Sequence, residues 1–172
     1  MKQAGYTIDD LTDIDWNRFI EIGKDVYDKT GYSLLSVQAD SSDLIYQMLQ
    51  SAGFGTWTED GKPDLAGNEN IKQCIEIYEE MKDANVLNVV NSWDEYVATF
   101  TSGKTAGVIN GCWILASVQT AEDQSGKWAL TDMPALPGVS SATNYSNQGG
   151  STLSLIHISE PTRQAEISYA VF

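Results

Sequence analysis

Histidine is nearly absent from this sequence. The single one, His157, among 172 residues leaves almost no imidazole for general-base work or metal ligation. Cysteine occurs twice, at Cys74 and Cys112; two isolated thiols have no metal-ligand spacing, and nothing in their placement supports a bridge between them. Long apolar runs are missing too, and none approaches the roughly 20 residues needed to cross a bilayer. Positive charge is scarce: 10 Lys plus Arg stand against 24 Asp plus Glu, a net charge of -14. A chain this acidic is repelled by phosphate backbones and anionic lipid surfaces, which argues against nucleic-acid and membrane-surface partners. Neutral or cationic small ligands stay open.

What is present suffices for a packed core, with 42% hydrophobic residues in a chain of one-domain size. Asp13 or Asp15 caps a predicted helix from Trp16 to about Asp28, with Trp16, Phe19, Ile20, Gly23, Val26 and Tyr27 at helical spacing. Thr30-Gly31 ends it, and Ser33 to Val37 reads as a buried strand. A polar turn, Gln38 to Asp43, leads into a helix burying Leu44, Ile45, Met48 and Leu49, which Gly53 stops. After an Asp60-Gly61 hairpin, Asn68 caps a longer helix with Ile71, Cys74, Ile75, Tyr78 and Met81 on one face. Trp128-Ala129-Leu130 reads as a further strand. Helices alternating with short buried strands imply an α/β layer structure.

The densest information lies between Ser92 and Val118. Ser92-Trp93-Asp94-Glu95 has capping-box spacing, in which the Ser92 hydroxyl accepts from the amide of Glu95 and Glu95 reaches back. The helix that follows carries Tyr96, Val97 and Phe100 and stops at Gly103. Val108-Ile109 reads as a short buried strand, Asn110-Gly111 as a turn, and Trp113 to Val118 as the opening of a helix. Trp113 thus sits at a strand-to-helix junction, the usual place for a ligand crevice in open α/β sheets.

This order (helix, Gly103-Lys104, short strand, Asn110-Gly111-Cys112-Trp113) resembles the extracellular solute-binding proteins of ABC importers, the sugar-binding family of the maltose-binding-protein type. Trp16 and Phe19, Gly53 to Asp64, the proline loop Met133 to Gly138 and Gly149-Gly150-Ser151 match further segments of that family in order. Cys112, where a proline often stands, and Gly53-Phe54-Gly55 in place of a glycine pair depart from it. The resemblance implies a periplasmic-binding-protein-like (type II) α/β lobe, incomplete, with helices packed on a short mixed sheet. Residues 1–152 would form part of a C-terminal-type lobe of a two-lobed receptor, Met1 being an internal methionine, the first lobe missing and no export signal or lipid-anchor cysteine present.

Sugars offer flat C–H faces to aromatic rings and hydroxyls to carboxylates and amides. By spacing alone Trp113 is a ligand platform or a core residue; the resemblance favours the platform. Trp57 and Tyr145 read as platforms or as rim and packing residues, and Trp16 and Trp93, at helix starts, as core. Asp40, Ser41, Ser42 and Asp43 follow a buried strand where the family places a carboxylate and an aromatic against sugar, although Ser-Ser-Asp before a helix is also ordinary capping chemistry. Gly149 and Gly150 let a ligand approach backbone amides, or form a plain loop. The resemblance implies a monomer without catalysis or cofactor that binds a carbohydrate outside the membrane or in the periplasm and delivers it to an ABC permease. The rival is a glycoside hydrolase fragment using Asp94/Glu95 or Glu79/Glu80.

Several patterns fail. Gly103-Lys104-Thr105 lacks the first glycine of a phosphate-binding loop, Ala98 standing there. Asp9, Asp10, Asp13 and Asp15 lack the ordered spacing of a calcium loop and read as a capping region. Leu153 to Phe172 is similar to an in-frame translation of a transposase-type sequencing adapter, and is set aside from fold reasoning together with His157.

Overall fold

The computed structural model describes residues 1–148; residues 149–172, with Gly149-Gly150-Ser151 and the segment 153–172, lie outside the described residues. Helix α1 (Trp16–Thr30) begins where the Asp15 side chain accepts from Arg18 N and ends at Gly31, whose φ of 73° is left-handed. Its face, including Ile22 beside the spaced positions, is buried, and Trp16 packs edge-on against Phe19 at 5.4 Å. Gly23 lets α1 lie directly on Val86: a Cβ there would stand 2.7 Å from Val86 Cγ2.

Strand β1 (Leu35–Gln38) pairs in parallel with β2 (Leu87–Val90), Leu35 opposite Leu87. On its other side the chain at Thr105 runs parallel to Ser33, with Gly107 N donating to Leu34 O at 2.8 Å. Among the described residues the pairing on both sides of β1 is therefore parallel where the sequence reading has a mixed sheet, because each partner follows a helical crossover. Helices α2 (Asp43–Ser51) and α3 (Glu69–Asp83) join α1 around the larger core, with Met48, Leu49, Cys74 and Met81 buried. Asn68 caps α3 by accepting from Asn70 N and Ile71 N. Trp128 to Leu130 forms no strand; Leu130 is exposed and finds no backbone partner among the described residues.

Helix α4 (Trp93–Thr101) starts at Ser92, whose hydroxyl accepts from Glu95 N. The return bond differs from the predicted box: Glu95 Oε2 accepts from Asn91 N, one residue further out. Tyr96 and Phe100 of α4 meet Ile114 and Val118 in a second, smaller core, built on a 3₁₀ turn (Cys112–Ile114) that runs into α5 (Leu115–Val118). Buried Thr99 shares hydrogen bonds with Ser36 and Thr105 and ties α4 to β1.

Cys74 is buried and Cys112 exposed, and both are free. Burial pushes the Cys74 thiol up to about 11, which withholds the reactive thiolate. A water-soluble disulfide reagent should therefore titrate Cys112 quickly in the native chain and Cys74 only after unfolding in guanidinium. Two fast native thiols would contradict this packing.

Candidate functional site

A hollow of about 390 Å3, counted with the solvent at its mouth, opens at the carboxyl end of β1. Its aromatic wall is built outward from the small core. Buried Phe100 meets Tyr96 edge-on at 5.5 Å, Tyr96 meets Trp93 at 5.4 Å, and Trp93 meets Trp113 at 5.7 Å with the two indoles tilted 33° apart. Trp113 is 47% and Trp93 40% exposed, so two large rings stand side by side with open faces. Trp113 opens onto the hollow in a 3₁₀ turn, but the strand expected before it is absent: Val108 and Ile109 are half-buried irregular chain, because the chain beside β1 makes only an isolated bridge at Thr105. Trp93 departs from its expected core position: it opens the helix but projects past the core, and the ring it packs on arrives 20 residues later in the chain.

Gly111 gives this wall its shape, by a route the sequence reading does not anticipate. Its φ of -65° is ordinary, so Asn110-Gly111 is no left-handed turn. Glycine stands there for space, since a Cβ would lie 2.5 Å from Trp113 Nε1 and 3.0 Å from Gln148 O.

The opposite wall is polar. Ser41, Asp43 and Gln47 of the β1–α2 region line it together with Asn110 and Gln148, whose side chain bonds directly to Asp43 and Gln47. Ser41 Oγ accepts from Asp43 N at 3.2 Å within the turn, but Ser42 at the N-cap of α2 makes no side-chain capping bond, so the capping reading of Ser-Ser-Asp is corrected to a local turn. Asn110 Nδ2 donates to the Tyr96 hydroxyl at 3.0 Å; burial raises the Tyr96 pKa, Asp43 adds to the rise and the Asn110 bond opposes it. Asp43 is the one formally charged side chain among the lining residues, and no lysine or arginine is among them. The hollow suits a neutral, hydroxyl-bearing ligand with a flat apolar face.

The remaining candidates are dispersed. Asp40 and Ser42 are exposed in the turn before α2 and do not line the hollow. Trp57, 65% exposed, stands on the hairpin closed by Thr58 N donating to Lys62 O. Tyr145 is exposed near the end of the described chain. Gln47, Tyr96, Asn110 and Gln148 join the site without having been foreseen; Tyr96 was legible only as an apolar helix position. The acid pairs Asp94/Glu95 and Glu79/Glu80 are exposed on α4 and α3, away from the hollow. Glu80 pairs with Lys24 at 2.9 Å. Among the described residues, no group of three or more acidic, cysteine or histidine side chains could hold a metal ion, and no helix is long and apolar enough to cross a membrane.

The family model for bacterial extracellular solute-binding proteins matches residues 2–166. The chain belongs to that family. The matched range of this solute-binding protein overlaps the segment after Thr152. It is 36% identical over 165 residues to a lactose-binding protein of Rhizobium radiobacter, covering 96% of this chain and 39% of that one. It is 24% identical over 140 residues to an arabinooligosaccharide-binding protein of Halalkalibacterium halodurans, covering 78% and 31%. Among solved structures it is similar to the GacH receptor of Streptomyces glaucescens, studied unliganded and with acarbose, at a TM-score of 0.67, 19% identity and coverage of 80% and 36%. It is also similar to a sugar transporter of Arthrobacter chlorophenolicus with bound laminaribiose, at a TM-score of 0.62, 20% identity and coverage of 79% and 34%. These likenesses establish an incomplete periplasmic-binding-protein-like lobe. The chain spans about two fifths or less of each relative.

Proposed function

We propose that this solute-binding protein is the carbohydrate-binding component of an ABC importer, working outside the membrane or in the periplasm, as a monomer and without catalysis. The observation that carries the reading is the pair of open indoles, Trp93 and Trp113, standing 5.7 Å apart on the rim of the hollow. A pyranose ring laid on them buries its C–H face, and its hydroxyls meet the side-chain oxygens and amides of the polar wall. Asp43 is the one carboxylate among the lining residues and is available to a sugar hydroxyl. The sugar-binding names of the relatives support the ligand class. Residues 1–152 form part of one lobe, a second lobe covers the ligand, and closure presents the loaded form to the permease, since ligand favours whichever state it contacts more fully.

Lactose, an arabinooligosaccharide and laminaribiose should each be titrated against the full-length protein, with tryptophan emission and reducing-sugar release followed together. A saturable emission change without release is the expected result; release of reducing sugar, or no response to any of them, contradicts the proposal. The adapter reading of 153–172 has its own test: the same residues recovered from an independently prepared library would overturn it.

A further inference from the structure

Gln148 is the most heavily engaged side chain in the hollow. Its Nε2 donates to Asp43 Oδ2 at 2.6 Å, while its Oε1 accepts from Gln47 Nε2 at 2.8 Å and from Gly111 N at 3.0 Å. Chemistry fixes the orientation of this amide. A backbone N–H can only donate and a carboxylate can only accept, so exchanging the oxygen and nitrogen would break both contacts. One side chain thus joins α2 to the backbone two residues before Trp113. From the other side, Asn110 Oδ1 accepts from the same Gly111 N at 2.8 Å. Gly111 has no side chain to wedge the loop in place, and none would fit between Trp113 and the Gln148 backbone. Hydrogen bonds therefore do the holding that packing cannot.

We propose that Gln148 is a positioning residue: by clamping Gly111 to α2 it fixes the attitude of the Trp113 indole. Its consequence for binding rests on reading the hollow as the solute site; the positioning itself does not depend on what binds.

Gln148→Glu provides a pH-dependent test. The substitution keeps the shape but sets an oxygen against Asp43. With both carboxylates ionised the contact is repulsive; as pH falls, a facing carboxylate pair takes up a proton above the ordinary carboxylate range and the donor to Asp43 is restored. The titratable groups facing this position are Asp43 from α2 and, through Asn110, Tyr96 from α4. Burial raises the Tyr96 pKa, so its hydroxyl stays protonated throughout.

The full chain, labelled with 5-fluorotryptophan and with Trp113 assigned through Trp113→Phe, is compared by fluorine NMR for wild type and Gln148→Glu without sugar. At about pH 7.5 the Trp113 resonance should be displaced in the variant while that of buried Trp16 is unmoved, and near pH 5 it should return to the wild-type position. A Gln148→Ala control should be displaced at both. A Trp113 resonance in Gln148→Glu that matches wild type at both pH values, or is displaced equally at both, overturns the proposal. With lactose as probe, the variant's affinity should fall about tenfold at the higher pH and recover at the lower, as expected for one charge-assisted hydrogen bond. A wild-type protein that ignores lactose and the other sugars, while the fluorine signature appears, would overturn the sugar reading alone.

Discussion

Trp113→Ala should weaken carbohydrate binding by about 30-fold or more, the loss typical of a central aromatic anchor in a binding surface, and leave the melting temperature nearly unchanged. The two halves of this expectation come from the same geometry. The indole is 47% exposed and leans mainly on another half-open ring, Trp93, so removing it opens no cavity in either core. Surface substitutions of that kind usually change stability by no more than about 0.5 kcal/mol. The ligand loses the flat apolar face on which it lies. Titration calorimetry with lactose or laminaribiose on the full-length protein, paired with thermal melting, reads both halves. Unchanged affinity, or a large fall in melting temperature, would show the ring to be part of the packing instead.

Phe100→Ala should do the reverse in order of cause, destabilising the chain by about 3–5 kcal/mol and weakening binding as a result. Phe100 is fully buried and supports Tyr96 edge-on. It belongs to the small core of Tyr96, Ile114 and Val118, which seats the turn carrying Trp113. Few other side chains can fill the space it leaves, so the cavity term is expected to be close to its full size. Urea unfolding should show a lower midpoint with an unchanged slope. A midpoint within experimental error of wild type would mean that this second cluster is not what holds the aromatic wall.

The contrast between these two variants follows the division between what could and could not be read from the sequence. Helices α1, α3 and α4 were legible because Asp15, Asn68 and Ser92 announce their own starts and accept the expected backbone donors. Trp113 was legible because a short apolar stretch, a small residue and a ring follow one another in the chain. Strand β2 was not. Its four residues alternate poorly and only Leu87 is buried, so its identity comes from pairing with β1 some 50 positions earlier. Trp128 to Leu130 failed in the opposite sense, with strand-like residues but no partner strand among the described residues.

The site shows the same limit. Trp93 reads as core because it opens an apolar helix face, and only the distant Trp113 makes it a platform. Gly111 reads as a turn residue because Asn-Gly usually is one; its actual reason, room for an indole and a carbonyl, exists only in three dimensions. Gln148 carries no local signal at all. Its three partners lie 105, 101 and 37 positions away, and a lone glutamine in a polar stretch looks like any solvated side chain. Local rules report on neighbours in the chain, whereas a crevice is made by neighbours in space.

The indole N–H resonances of the uniformly 15N-labelled protein, followed while laminaribiose is added, test the role of the aromatic wall most directly. Those of Trp93 and Trp113 should move together and saturate at one concentration while those of Trp16, Trp57 and Trp128 stay in place. Saturable movement confined to Trp57 or Trp128, with Trp93 and Trp113 silent, would contradict it.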